Sequence, residues 1–93
     1  MTGSEDWRAV VRRLLAAVLD RPAAALAALP DDTPLFGPEL NLDSFSGMVL
    51  LVAIERDYGC DLAADDLGLE SLETIGTLAA YLRGASARPP APG

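Results

Sequence analysis

Midway along the chain, residues 43–59 read DSFSGMVLLVAIERDYG. The segment ends on glycine, a residue typical of the position just after a helix, and it predicts one helix from Asp43 to Tyr58 with Gly59 at its end. The centre of this helix, residues 48–54, is apolar on every side. A small protein cannot bury every face of such a helix, so part of the apolar surface must be exposed or dock on something.

Helical spacing divides this apolar surface into two sides. One side is expected to face the core, with Gly47 allowing close helix packing; its members are Leu50, Leu51, Ile54 and Tyr58. The other side holds Ser44, Met48 and Val52, flanked by Phe45, Val49 and Glu55. For Val49, an alternative is packing beneath the preceding loop.

Another helix is predicted near the start of the chain. Apolar residues recur at i, i+3 and i+4 between residues 7 and 19, which predicts an amphipathic helix over 5–20. Ser4 can cap this helix, and Glu5 and Asp6 would lie in its first turn, where the helix dipole favours acids. Residues 21–22, Arg-Pro, would end it.

The connection between these two helices is long. Residues 22–30 are bracketed by prolines and predict at most a couple of helical turns. Residues 31–43 combine prolines, a glycine and turn-forming acids, which predicts an extended surface loop. The loop is expected to be pinned by its apolar residues Leu35, Phe36, Leu40 and Leu42. A loop of this length in so small a domain is usually functional.

The C-terminal third predicts one short helical turn near 65–69 and a last helix from Thr74 to about 83–84. The buried stripe of this helix would be Ile75, Leu78, Ala79 and Leu82. The predicted organisation is a flexible N-terminus (1–4), one domain (5–84) and a disordered Pro-rich tail (85–93). The predicted fold class is all-α: an antiparallel bundle of three main helices and a short one, with a long first crossover and no strands.

Composition excludes several classes of chemistry. The 93 residues contain no histidine and one cysteine, which excludes disulfides, Ser-His-Asp triads and the usual zinc sites. Cys60 is expected to be a small buried hydrophobic residue rather than a reactive thiol. No apolar stretch is long enough to span a membrane, and the N-terminus lacks the pattern of a secretory signal, so a soluble cytoplasmic protein is expected.

The charge is acidic and unevenly distributed. The formal net charge is −7, which argues against nucleic acid as a partner. Residues 31–73 hold all but three of the acids and a single base, Arg56. This acidity serves either solubility alone or the steering of basic partners, and the sequence favours neither. All seven basic residues are arginine, which is typical of a GC-rich genome.

The junction of loop and helix, residues 41–48 (NLDSFSGM), is the strongest candidate site. Taken alone, Asp43 or Ser44 could simply be a helix N-cap. The wider sequence resembles the acyl carrier protein family, whose mark is a Gly-x-Asp-Ser-Leu-like stretch that opens the second helix of a four-helix bundle. The resemblance spans about 14–82 and includes TPLF at 33–36, LDSF at 42–45, IERDYG at 54–59 and LETI at 72–75.

The resemblance implies that Ser44, preceded by Asp43, carries a covalent 4′-phosphopantetheine arm whose terminal thiol holds the cargo. It implies a non-catalytic, monomeric carrier that is modified by a phosphopantetheinyl transferase. Further partners would be a loading enzyme (an acyltransferase or adenylation enzyme) and a ketosynthase or other downstream transferase. Partners would dock on apolar contacts at Phe45, Met48, Val49 and Val52, with charge at Asp43, Glu55 and Asp57.

Two departures from the family pattern indicate a specialised carrier. Phe45 replaces the usual leucine, and Val49 lies where fatty-acid synthase carriers often have glutamate, so docking should be more hydrophobic. The leading hypothesis is a discrete acyl carrier protein of polyketide or related secondary metabolism, such as antibiotic biosynthesis. The alternatives are a peptidyl or aminoacyl carrier of a nonribosomal-peptide-type pathway, or a helical docking module that never carries an arm.

Overall fold

The computed structural model describes residues 6–64 and 66–87. In this part of the chain there are five α-helices: α1 (Trp7–Leu19), α2 (Ala23–Ala27), α3 (Ser44–Tyr58), α4 (Asp66–Glu70) and α5 (Ile75–Ala87). Two 3₁₀ turns, Leu62–Ala64 and Ser71–Glu73, flank α4. The described residues contain no strand, so the predicted all-α helical bundle is confirmed.

The long helices pack around one apolar core, with α1 in contact with α2, α3 and α5. Both α1 and α5 contribute the stripes that their periodicity predicts. The core residues of the described chain are Val11, Leu15, Leu26, Leu35, Leu40, Leu42, Leu50, Ile54, Leu62, Ile75, Leu78, Ala79 and Leu82. Helices and connecting segments therefore share a single core.

Helix α1 begins and ends differently from the prediction. Asp6 lies before the first turn and is the N-cap, since its carboxylate accepts hydrogen bonds from the backbone N–H groups of Arg8 and Ala9. The cap suggested for Ser4 and the first-turn position of Glu5 fall outside the described residues. At the other end Asp20 adopts the left-handed conformation, with φ of 56°, and its N–H group bonds back to the last turn of the helix.

The loop over 31–43 contributes side chains to the core. Its residues Leu35, Leu40 and Leu42 are buried, as predicted. Phe36, in contrast, is 54% exposed and lies against Gly47 of α3 rather than in the core. Leu35 and Phe36 are the two central residues of a turn closed by the N–H of Gly37, which donates to the carbonyl of Pro34 at 3.3 Å, and Leu35 is the one that is buried.

Backbone hydrogen bonds tie this loop to the start of α5. The N–H of Leu35 donates to the carbonyl of Glu73 (3.0 Å), and the N–H of Ile75 donates to the carbonyl of Thr33 (3.2 Å). These bonds form one antiparallel bridge between Pro34 and Thr74, too short to count as a strand. The loop therefore has a fixed path before it reaches α3.

Arg12 ties α1 to the other end of the loop. Its guanidinium donates to the carbonyls of Leu26 and Leu29, at the end of α2, and to the Asp31 carboxylate at 2.7 Å. Arg8 donates to the second oxygen of Asp31 at 3.0 Å. The hydrogen bond from Arg12, followed by that from Arg8, holds the pKa of Asp31 below its ordinary value.

Helix α3 ends at Tyr58 as predicted, with Gly59 in the left-handed conformation at the C-cap. It begins at Ser44, one residue later than predicted, because Asp43 is its N-cap. Leu50 and Ile54 are fully buried, but two residues expected beside them are not. Leu51 is only half-buried, and Tyr58 is 39% exposed. Tyr58 instead makes an edge-to-face contact with Trp7 of α1, with ring centroids 5.3 Å apart.

Close packing at a glycine occurs in α4 rather than α3. A Cβ at Gly47 would make only ordinary contact, at 3.5 Å, with the ring of Phe36, so the expected close helix packing there is wrong. A Cβ at Gly68 would overlap the Leu62 carbonyl oxygen and lie 2.9 Å from the Leu62 Cα. Gly68 is therefore the position where α4 packs so closely on the preceding 3₁₀ turn that only glycine fits.

The remaining elements lie close to their predicted places. The short helix predicted near 65–69 is α4, at Asp66–Glu70. Helix α5 continues to Ala87, so its predicted end near 83–84 is wrong, and the predicted tail over 85–93 begins too early. Residues 1–5 and 88–93, where the flexible terminus and the rest of the disordered tail were predicted, lie outside the described residues. Cys60 is partly buried against the core.

Among the described residues, no helix combines the length and apolar character needed to cross a bilayer.

We predict that Gly68→Ala destabilises the bundle by about 1 to 3 kcal/mol, because the added methyl group meets backbone rather than a movable side chain. Gly84→Ala is the matched control, since a Cβ at Gly84 would meet no atom within 4 Å outside its own helix. Because alanine is the better helix former, that control should gain up to about 1 kcal/mol. Chemical denaturation measures the free energy of unfolding of both variants. Equal stability of the two would show that the added methyl group at residue 68 meets no obstacle.

We also predict a pH-dependent contribution from Asp31. Because folding lowers its pKa, this contribution is complete above the ordinary pKa of aspartate and is lost as the pH falls through the lower, folded-state value. Asp31→Asn should therefore destabilise the protein at pH 7, and its deficit relative to the wild type should shrink below about pH 4. Asp32→Asn, at an exposed neighbour, is the control. A deficit that is constant from pH 7 to pH 3 would exclude this role.

Candidate functional site

The candidate site begins where the loop enters α3, at Ser44. Ser44 is the first residue of α3 and is exposed, whereas Leu42, two residues earlier, is buried in the core. Just before Leu42, Asn41 adopts the left-handed conformation with φ of 53°. Asparagine tolerates this conformation better than most residues. The buried leucine and the sharp turn together fix where the serine emerges.

Asp43 closes the first turn of α3. Its Oδ1 accepts a hydrogen bond from the backbone N–H of Ser46 at 2.7 Å. This bond, followed by a smaller contribution from the Ser46 side chain, lowers the pKa of Asp43. The carboxylate is therefore ionised at neutral pH and serves as the N-cap. The cap interpretation of Asp43 is thus correct and leaves the adjacent hydroxyl of Ser44 exposed.

The site can accommodate a phosphodiester on Ser44. The positive end of the α3 dipole favours a negative group there by about 0.3 to 1 kcal/mol. The Asp43 carboxylate, a neighbouring negative charge, opposes this effect. The two effects have opposite sign, so electrostatics alone does not select this position. Solvent exposure distinguishes Ser44, because an exposed serine at the helix start can receive a long substituent without disturbing any buried side chain.

An exposed apolar stripe continues along α3 from Ser44. We use "the α3 stripe" for the large exposed residues of this face: Phe45 (77% exposed), Met48 (65%), Val49 (40%) and Val52 (57%). All four lie apart from the buried Leu50 and Ile54, as the helical spacing predicts. Val49 is the least exposed of the four but is not covered, so it does not pack fully beneath the loop.

The acidic residues beside the α3 stripe are exposed but not equivalent. Glu55 and Asp57 both face solvent. The Asp57 carboxylate accepts a hydrogen bond from Arg56 Nε at 3.3 Å, which partly neutralises its charge. An exposed pair of this kind contributes little to stability. Glu55 is thus the stronger candidate for a charge that a partner enzyme senses.

Two features near the site do not follow from the sequence patterns. The Phe36 ring lies over Gly47, one turn into α3, although Phe36 was expected to pin the loop to the core. Arg21, expected only to end α1, donates to the carbonyls of Glu39 and Leu40 in the loop. Phe36 lies beside Leu35 in the turn over 34–37, and the apolar pattern does not say which of the two residues faces the core. The nearer of the two residues that Arg21 contacts is 18 positions away along the chain, so no local sequence pattern predicts these contacts.

Other chemistry finds no support among the described residues. They contain no group of three or more histidine, cysteine or acidic side chains arranged to hold a metal ion. Cys60 packs against the core, whereas a reactive thiol is normally accessible to its substrate.

Comparison with known proteins gives one result. Residues 9–82 match the family described as PP-binding, phosphopantetheine attachment site. No curated protein and no solved structure shows a significant match to the chain. The family match covers all of the helices except the ends of α1 and α5, and it confirms the resemblance to acyl carrier proteins. The chain belongs to the phosphopantetheine attachment site family, whose domain bears 4′-phosphopantetheine as a covalent prosthetic group.

Proposed function

We propose that Ser44 is the attachment residue and that the chain is an acyl carrier protein of polyketide or related secondary metabolism. The observation that carries the proposal is the exposed hydroxyl of Ser44 on the first residue of α3, beside the capping Asp43. Ser46, the nearest rival, is only partly exposed and its N–H group is engaged by the cap. Ser71 is buried and donates to the Gly68 carbonyl.

In this proposal the chain binds and presents its cargo but does not transform it. The prosthetic group supplies a terminal thiol that holds an acyl or aminoacyl group as a thioester. The absence of histidine from the sequence supports a non-catalytic role, because general-base activation of a nucleophile most often uses that residue. Cys60 is not the cargo thiol, since it lies partly buried in a structural position.

The proposed partners are of three kinds. A phosphopantetheinyl transferase modifies Ser44, a loading enzyme adds the cargo, and a ketosynthase or another transferase accepts it. The α3 stripe is proposed as their common docking surface, with Asp43, Glu55 and Asp57 as charged contacts. A monomeric carrier in the cytoplasm is part of the proposal. The net charge of −7 argues against nucleic acid as a partner.

The acyl assignment is preferred over a peptidyl one. Asp43 before the serine, and the absence of a Gly-Gly-His/Asp-Ser string, support an acyl carrier. Phe45 and Val49 give the α3 stripe a more apolar character than the family pattern, which supports a specialised pathway over fatty-acid synthesis. The second candidate function, a docking module without an arm, is favoured only by the exposure of the α3 stripe.

We predict that incubation with coenzyme A and a phosphopantetheinyl transferase adds one 4′-phosphopantetheinyl group to the chain. Ser44→Ala should abolish this mass increase, because no other described serine combines exposure with the start of a long helix. Ser46→Ala is the matched control and should still be modified. Intact-mass spectrometry distinguishes the outcomes. Modification that persists in Ser44→Ala would place the arm elsewhere, and an unmodified wild type would favour the docking module.

We further predict that apolar and charged changes on the docking surface behave differently. Burying a Met or Val side chain is worth about 1.5 to 3 kcal/mol at best, whereas an exposed ion pair contributes about 0 to 1 kcal/mol. Met48→Ala or Val49→Asp should therefore weaken transfer from a cognate loading enzyme at any salt concentration. Glu55→Arg should act mainly on the encounter rate and only at low ionic strength, where screening is least.

The measurement is transfer rate against carrier concentration at two salt levels. Asp32→Arg serves as the matched charge reversal outside the α3 stripe and should have a smaller effect than Glu55→Arg. Circular dichroism of each variant is the folding control, and none should unfold because the altered residues are exposed. Equal, salt-independent losses from both kinds of change, or no loss from either, would show that partners dock elsewhere.

A further inference from the structure

The side chain of Arg21 bridges the end of α1 and the last part of the 31–43 loop. Its Nη1 donates to the Glu39 carbonyl at 2.8 Å, and its Nη2 donates to the Leu40 carbonyl at 3.1 Å. A guanidinium suits this arrangement because its planar, rigid fork presents two N–H donors side by side. One side chain thus holds two consecutive backbone carbonyls of the loop.

The backbone of Arg21 is itself held firmly. Its N–H donates to the Ala16 carbonyl at 2.9 Å, beyond the left-handed Asp20 that ends α1. The next residue, Pro22, restricts the backbone of Arg21 to extended conformations. The guanidinium therefore projects from a fixed corner of the bundle.

The segment held by Arg21 leads directly to Ser44. Only residues 41–43 separate the Leu40 carbonyl from the serine. Within them, the N–H of Asn41 donates to the Gly37 carbonyl at 2.7 Å, and the N–H of Leu42 donates to the Leu35 carbonyl at 3.4 Å. These two bonds close the loop on itself. Without Arg21, this small loop would still be joined to the bundle by its buried side chains and by the bond from the N–H of Leu35 to the carbonyl of Glu73, but by no charged hydrogen bond near the end of α1.

We propose that Arg21 is a positioning residue: it fixes the loop that delivers Ser44, so that the hydroxyl is oriented for modification by the transferase. This inference rests on the proposed attachment at Ser44. Arg21 is not needed for the core, which is built from other side chains. Its loss should therefore loosen the loop and leave the helices intact.

The first experiment measures hydrogen exchange of backbone amides, which requires no prosthetic group. In Arg21→Ala, the amides of Asn41 and Leu42 should exchange about five- to tenfold faster, because the bonds they make lose their support. The amides of Leu50 and Ile54, in the core part of α3, should be unchanged. Accelerated exchange throughout the bundle would show that Arg21 supports the whole fold, and it would overturn the proposal.

The second experiment measures the kinetics of modification with coenzyme A and a phosphopantetheinyl transferase. Arg21→Ala should lower kcat about five- to tenfold with KM changed less than about twofold, because the docking surface is intact while the serine is poorly oriented. Arg21→Lys, which retains a donor but not the fork, should recover part of the rate. Arg83→Ala, an exposed arginine of α5, removes the same charge and should match the wild type.

The outcomes separate this inference from the proposed function. A wild-type chain that is not modified would overturn the attachment at Ser44 and the inference with it. A modified wild type, with Arg21→Ala equal to it in kcat, would overturn the inference alone. A loss that Arg83→Ala reproduces would attribute the effect to net charge and would also overturn the role of Arg21.

Discussion

The structure depends on the burial of three leucines from an irregular loop. Leu35, Leu40 and Leu42 lie in the same core as Leu50 and Ile54 of α3. A loop of this length is costly to order unless its side chains are buried or its backbone is bonded. Here both conditions hold, since the loop also bonds to the start of α5. Its path therefore fixes where α3 starts, and with it the place where Ser44 faces solvent.

Helix α3 has both a buried and an exposed apolar face, and its composition makes the two compatible. A helix that is apolar on every side can bury one face and keep another for partners. Leu50 and Ile54 hold it in the bundle, while the α3 stripe is exposed beside Ser44. Because the buried and exposed sets do not overlap, the residues of the α3 stripe can be substituted without removing a core contact. Phe45 and Val49, the departures from the family pattern, both lie on the exposed face.

Local patterns predict most of the bundle. The periodicity of α1 and the stripe of α5 give the correct core residues, because helices with one apolar face are specified by their own sequence. The end of α3 follows from Gly59, whose φ of 67° few other residues adopt readily. The exposed face of α3, including Met48 and Val52, was also predictable, because it follows from the same helical spacing.

Other features depend on contacts between distant residues, and the sequence alone misplaces them. Tyr58 follows the core spacing of α3 but makes an edge-to-face contact with Trp7 of α1. Phe36 is as apolar as Leu35, yet only one of the two neighbours can point inward. The side chains of Arg12 and Arg21 donate hydrogen bonds to backbone carbonyls many residues away. Helix α5 passes Gly84 because a glycine weakens a helix without ending it.

A preformed bundle is proposed to present Ser44 as the attachment point of the arm, and ¹H–¹⁵N spectra of the chain before and after enzymatic modification test this directly. A well-dispersed spectrum is expected before modification. The shift changes on modification should be confined to the end of the loop and the first turns of α3, with the core amides of Val11 and Leu78 unmoved. Changes centred on another serine, or a chain that becomes folded only on modification, would contradict it.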